Sequence, residues 1–563
     1  MDRRDSKERL KKLESQVSQI YDVIHQWTKL KLRSPEPPSD VLDHFVGVYN
    51  TEIAIKPLPL FKIEGLCSRI QMCSQPLRRS FLALTLQFSS HPFFRGRDVE
   101  CAELYASSAY ADLVPIALEG PTDLDVVQSL CLLVLHDLKV LKTARAWGTI
   151  GLAARLEASF SWNRREVVDG FHSTENESSG CFWSVYILEK CFSAQCSILD
   201  RCVIQPRYPD NTSPSLLANT KEKIDRVSGI TSSFLHAVSI WGDVMSYVHG
   251  IRCRKPERPW LPTSRYTELT QQMYVFEDQT ALDHLFKNAG FLDQTVDTIS
   301  ENIKYWRPWI LMQLTTHATS AVLSHPFIHI AGLRDMNHRQ PPRLFMQSVI
   351  DQAQYHARWV SRLAQMCEAL RFDVHDPLSG TLVAATATVA WVFRSAPDKA
   401  AASKADECFN ICESFVKTAA MKWPHMERKV KLLEYLRGVS GQTRGSGDAV
   451  IAFQPSILWE LLDNSLLPTT PNKSNSPNPN SNGKASADIT LSVTTHILQP
   501  LHEGESQSAS TATASSVAPT IPGDDACFDD FFSQHLFTEM NWSSDLEAQE
   551  QISWQTRGNA KGL

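Results

Sequence analysis

The stretch Val127–Phe160, VQSLCLLVLHDLKVLKTARAWGTIGLAARLEASF, followed after a polar loop by Phe182–Cys191, FWSVYILEKC, decides the fold. In its first part Val127, Leu130, Cys131, Val134, Leu138 and Leu141 recur at helical spacing, and Leu132, Leu133 and Leu135 make the other side apolar as well. A helix apolar nearly all round has to be buried on several faces. The next segment sets Trp147, Ile150, Gly151, Ala154 and Ala158 on one stripe, and its small residues Gly148, Gly151, Ala153 and Ala154 leave room for a neighbouring helix to come close. Phe182, Val185, Tyr186 and Phe192 give a third apolar face. Three such helices in succession predict the centre of an all-α domain.

The same spacing continues on both sides. Leu66, Ile70, Cys73 and Leu77 share one helical face, and His91-Pro92-Phe93-Phe94 ends the helix that follows. Val349, Ala353, His356, Val360, Leu363, Cys367 and Leu370 keep one face over many turns, as do Ala405, Cys408, Cys412, Phe415 and Ala419. No stretch alternates with period two for long, so no sheet is expected. These patterns delimit a helical region over 45–437.

Flanking segments differ in composition. Leu10, Val17 and Ile24 alternate with Leu13, Ile20 and Trp27 in 3-4 spacing, predicting a short coiled-coil or dimerisation helix over 1–33. Leu10 to Trp27 spans only ~26 Å at ~1.5 Å per residue, so an amphipathic helix packed on its own domain is the competing reading. Residues 438–467 read as a linker carrying one short amphipathic segment, Ile457, Leu458, Leu461 and Leu462. From 468 to 522 the chain is rich in Ser, Thr, Asn and Pro, and such a segment buries too little apolar surface to offset its ordering entropy; disorder is expected. Residues 523–547 interleave Phe528, Phe531, Phe532, Leu536, Phe537 and Trp542 with seven acidic residues and no Lys or Arg. The repelling charges keep the aromatics in water, ready for an apolar groove with a basic rim, which is the composition of an acidic activation segment; a terminal helix docked on its own core is the alternative. A polar tail, 548–563, closes the chain.

The 563 residues carry a formal charge of −6, and the acidic segment accounts for it, so the remainder is close to neutral and lacks a basic footprint for nucleic acid. Arg3, Arg4, Lys7, Arg9, Lys11 and Lys12 suit nuclear import or phosphate contacts, or equally a solvated helix face, since Asp5, Glu8 and Glu14 dilute them. Thirteen scattered cysteines and a charged N-terminus indicate a reducing intracellular compartment. No apolar run reaches the ~18–20 residues of a membrane span, and Gly380 to Phe393 reads as a core helix.

Several residues carry a resemblance. Arg145-Ala146-Trp147 with Gly151-Leu152-Ala153 and Arg155-Leu156, then Phe182-Trp183 with Tyr186-Ile187-Leu188-Glu189-Lys190, is similar to the middle homology region of fungal zinc binuclear-cluster transcription factors. Leu199-Asp200-Arg201, Arg207-Tyr208-Pro209, Pro259-Trp260 and His325-Pro326-Phe327 resemble later elements of that region, so the likeness runs over roughly 57 to 335. Ser178-Ser179-Gly180 stands where the family has basic residues, and Glu189-Lys190 where it has Asp-Arg.

The resemblance implies a nuclear transcription regulator, an activator of metabolic or secondary-metabolite genes. A helical body that masks or exposes a tail contacting the transcription machinery or a coactivator is the expected mechanism, and the heptad offers the seam of a homodimer. The resemblance also implies a zinc cluster of six cysteines near the N-terminus. No cysteine precedes Cys67 and no C-x-x-C occurs, so zinc and DNA binding are expected only with a cluster encoded upstream or supplied by a partner. The heptad lies where the helix downstream of such a cluster stands, which favours a first exon missing from the sequence over a regulator that lacks the cluster. An interaction protein that dimerises with a full-length relative and damps it is the alternative from another class.

The enzyme reading is poor. Cys408 and Cys412 stand four apart on a helix, as half a metal site would, yet they share the apolar stripe with Phe415 and read as buried free thiols. His325 and His329 have H-x-x-x-H spacing, but Pro326 and the missing Glu speak against a zinc peptidase. Asp524-Asp525 with Asp529-Asp530 resemble the paired aspartates of all-α terpene cyclases, but carboxylates beyond a long disordered stretch are not pre-organised for a metal. No catalytic, cofactor-binding or metal-ligating residue is assigned, and no membrane partner.

Overall fold

The computed structural model describes residues 36–54, 56–119, 123–163, 172–201, 229–253, 257–333, 341–439, 442–443, 449–464 and 489–493, all within one compact unit. The chain enters through α1 (Ser39–Val48) and a π-helical turn, Tyr49–Ile53. Next come α2 (Leu66–Met72), α3 (Gln75–Thr85), α4 (Asp98–Glu119), α5 (Leu124–Lys139), α6 (Thr143–Asn163) and α7 (His172–Phe192). After these stand α8 (Ile230–Arg252), α9 (Arg265–Gln279), the short α10 (Phe286–Ala289) and α11 (Val296–Glu301), α12 (Ile303–Leu323) and α13 (Pro326–Leu333). The body is completed by α14 (Arg343–Ala369), α15 (Pro377–Phe393), α16 (Lys399–Lys422), α17 (Glu427–Gly438) and α18 (Pro455–Leu462).

Helices without a polar face go to the centre. In α15 every residue from Pro377 to Phe393 is buried, so the longest apolar run is a core helix. Among the described residues no helix is long and apolar enough to cross a membrane. The hydroxyls of Thr381 and Thr386 return to carbonyls one turn back, which removes the cost of burying them. Central α12 packs on α8, α14 and α15, while α5 lies against α3 and α6. Helix starts follow their caps. Asp123 accepts the Val126 N–H, and the Asp376 carboxylate accepts the Leu378 and Ser379 N–H groups at 2.8 and 2.9 Å.

The deciding stretch folds as three helices with adjustments. Leu141 lies past the end of α5 with φ of 63°, exposed rather than on the apolar face. In α6 the buried side is Ala146, Ile150, Ala153, Ala154 and Glu157, and Trp147 is only half-buried. Gly148 and Gly151 face open space, so the close helix approach expected of them is not made there. The close approach lies elsewhere: a Cβ at Gly180 would collide with the Pro59 carbonyl oxygen. The face Leu66, Ile70, Cys73 and Leu77 is buried but divided between α2 and α3, because Pro76 opens a new helix.

The expectation of no sheet is corrected on a small scale. Gln442–Thr443 (β1), Ala449–Phe453 (β2) and Ile489–Val493 (β3) form an antiparallel sheet, in the order β1-β2-β3, with Ala449 opposite Val493 and Phe453 opposite Ile489. β3 lies inside the segment expected to be disordered; its ITLSV is β-branched and apolar where its surroundings are not. Phe453 sets its ring 5.3 Å from Trp391 and 5.8 Å from Phe327, which fastens the sheet to the body. Ile457, Leu458, Leu461 and Leu462 are all buried, so the amphipathic segment is part of the core.

Candidate functional site

Two partly buried ionic clusters organise the body. The first joins five distant parts of the chain. Asp373, in the α14–α15 connection, accepts from Lys56 at 2.8 Å and from Lys422, the last residue of α16, at 2.5 Å. His375 Nδ1 lies 3.1 Å from its other oxygen. Burial alone would raise the Asp373 carboxyl, but His375 and the two ammonium groups outweigh it and hold the acid well below its ordinary range. Burial pushes Lys56 down against the pull of Asp373. Arg307 in α12 donates to the Ala54 carbonyl at 2.8 Å, and Lys139 at the end of α5 donates to the Lys422 carbonyl at 2.7 Å while lying over the Phe88 ring. Burial brings Lys139 down to about 8.

The second cluster lies where the motif residues of the deciding stretch stand. Glu189 accepts the backbone N–H groups of Ile198 and Leu199 at 2.5 and 3.0 Å, and the Ser197 hydroxyl at 3.0 Å. Burial raises its carboxyl in spite of these donors. Lys190, buried along its stem, reaches Asp200 at 2.7 Å and Asp243 at 3.3 Å. Gly242 makes room for that stem, since a Cβ there would strike Lys190 Cδ. Glu189 and Lys190 thus hold the 197–200 turn against α8. Nearby, Arg145 grips the fully buried Asp137 through Nε and Nη2 at 2.6 and 2.5 Å, and the Tyr110 hydroxyl donates to the same carboxylate at 2.8 Å. Burial acts to raise Asp137; His136, Arg145 and Tyr110 more than offset it.

Residues 80–307 match the family model of the fungal specific transcription factor domain. The chain carries a fungal-specific transcription factor domain. That match, over part of the chain, supports a fungal transcription regulator. No curated protein and no solved structure matches the chain.

The transcription factor domain holds the second cluster whole, whereas the first lies mostly outside it, with Lys139 and Arg307 as its inner members. His325 and His329 are buried core residues: His325 Nδ1 accepts the Phe327 N–H at 3.1 Å with Nε2 on Thr388, and His329 Nε2 donates to the Leu323 carbonyl at 3.0 Å. Burial lowers them to about 3 and about 4. Cys408 and Cys412 are buried free thiols on α16. Among the described residues no group of three or more His, Cys, Asp or Glu is placed to hold a metal ion.

A groove between α16 and α17, lined by Lys417, Ala420, Met421, Glu427, Val430, Lys431 and Glu434, has a volume near 270 Å³. That is below the ~300–1,000 Å³ of small-molecule sites, and its lysines stand among its own glutamates. The expected dimerisation residues Leu10, Leu13, Val17, Ile20, Ile24 and Trp27, the activation residues Phe528, Phe531, Phe532, Leu536, Phe537 and Trp542, and the paired aspartates 524–530 lie outside the described residues. Sequence reasoning missed the role of Lys56, Asp373 and Lys422. The signal available to it was weak: three charged residues standing next to apolar helix ends.

Proposed function

We propose that this chain is a pathway-specific activator of metabolic or secondary-metabolite genes, acting in the nucleus through its helical body and its acidic-aromatic segment at 523–547. The observation that carries the reading is the transcription factor domain at 80–307 in one chain with that segment. Aromatics kept in water by like charges suit a coactivator surface with an apolar groove and a basic rim, where the segment would order on binding. Dimerisation falls to the Leu10–Trp27 heptad. DNA is reached only where a zinc cluster is supplied, as by a partner.

The test is a fusion of residues 523–563 to a heterologous DNA-binding domain carrying its own reporter. Activation is expected, and should fall severalfold when Phe531, Phe532 and Phe537 are changed to Ala together. An inert fusion removes the role of the segment and, with it, the activator reading.

A further inference from the structure

The end of α8 brings together a thiol, an imidazole and a carboxylate that neither ionic cluster uses. His249 and Cys253 stand four apart on one face of the last turn, and Cys253 is exposed at the helix end. Its Sγ lies 3.4 Å from His249 Nε2. Across the ring, His249 Nδ1 lies 3.0 Å from Oδ2 of Asp463, which stands 214 residues further along the chain and directly after α18. The Asp463 side chain is only 4% exposed, and Arg252 Nη1 holds the same oxygen at 2.7 Å. A buried carboxylate accepts from Nδ1–H, which leaves the lone pair of the neutral ring on Nε2, facing the sulfur. Nucleophile, base and orienting carboxylate thus stand in series within hydrogen-bond reach, and the nucleophile is open to solvent.

We propose that Cys253 is a nucleophilic thiol that captures small α,β-unsaturated carbonyl compounds, with His249 as the base that takes and returns the proton and Asp463 as the positioning residue. The Cys253 S–H gives its proton to His249 Nε2 as the sulfur attacks the β-carbon. The S–C bond forms, and the π pair of the C=C bond moves onto the carbonyl as an enolate. The imidazolium, steadied through Nδ1 by Asp463, then returns the proton to the α-carbon. One S–H bond and one C=C π bond are replaced by an S–C and a C–H bond; nothing leaves, and no electrons pass to an outside reagent. That balance singles out a soft electrophile, since one thiol with one proton carrier completes the addition, whereas a disulfide needs a second thiol. The adduct forms where α8, inside the transcription factor domain, is tied through His249 and Arg252 to the end of α18 outside it. Occupancy of Cys253 therefore acts at a joint between the domain and the rest of the body.

The experiment treats the full chain with acrylamide and follows adduct formation at each cysteine by mass. Cys67 is the internal control: it too is exposed, but its neighbour is the Asp43 carboxylate in place of an imidazole. At pH 7 Cys253 should react at least about tenfold faster than Cys67. As pH is lowered from 8 to 6 the Cys67 rate should drop about tenfold per unit, as that of an unassisted thiol does, and the Cys253 rate distinctly less. His249→Gln should bring the Cys253 rate down to that of Cys67 and give it the same steep profile. Asp463→Asn should do so in part, and Asp463→Glu should recover the flatter profile. Equal rates at the two cysteines of the unaltered chain, or a fast Cys253 whose rate and pH profile His249→Gln leaves untouched, would overturn the proposal. The comparison within the unaltered chain decides even where a variant fails to fold.

Discussion

The two ionic clusters differ in what they join. The Lys190 cluster is local to the transcription factor domain: Glu189, Lys190, Asp200 and Asp243 all lie between 80 and 307, and it pins one turn to one helix. The Asp373 cluster ties the entry segment at 52–56 to the ends of α14 and α16, and only Lys139 and Arg307 come from within the domain. The matched region is therefore one part of a continuous core. Its end at 307 falls inside α12, Ile303–Leu323, whose neighbours α14 and α15 lie wholly beyond it.

Cutting the chain to 80–307 breaks that continuity outright. Such a fragment should show helical circular dichroism without a cooperative melt, since it loses most of α12, the helix against which α8 packs; a sharp transition would mean that the domain stands alone. In the full chain, Asp373→Ala should cost about 3–5 kcal/mol, because it strands Lys56, whose side chain is 4% exposed, without a counter-charge. Urea denaturation reads this directly. Gly242→Ala tests the inner cluster and should cost about 2 kcal/mol through overpacking against Lys190. If the two variants cost the same, the contrast between local and bridging clusters loses its energetic meaning.

Acid sharpens the comparison further. His325 and His425 are lowered to about 3 and His329 and His356 to about 4, in each case chiefly by burial. Unfolded, each takes its proton near pH 6.5, so the stability they confer is present above that pH and drains as pH falls toward 4. Asp376, raised to about 6 by burial, and Glu189, also raised by burial, act in the opposite sense, as two groups against four. Melting temperature should therefore fall by several degrees between pH 7 and pH 5; a flat profile would mean that these rings reach water. The smallest effect belongs to Arg428→Ala, which removes an exposed pair with Glu460 and should change stability by under ~1 kcal/mol.

Much of the body was legible because burial on several faces leaves a trace in one dimension. The all-apolar runs of α5 and α15 can be read only as inner helices, and the stripe with Cys408 and Cys412 identifies the buried side of α16. The helix faces were less legible. In α6 the small residues at 148 and 151 looked like contact points, yet they face open space, since a glycine carries no sign of which side its neighbour takes. Long-range charge pairing was not legible at all: nothing in the local sequence around Lys56 points to a carboxylate more than three hundred positions away. The short sheet was hidden for a different reason. Strands of two and five residues are too brief for alternation to register, and β3 is set in a polar stretch that masks it.

Gly180 has a use beyond this molecule. Because the Pro59 carbonyl occupies the space where a side chain would begin, a relative that carries any other residue at the equivalent of 180 must run its 57–61 segment along a different track. That single position, read from an aligned sequence, tells whether the entry arm described here can be carried over to another regulator.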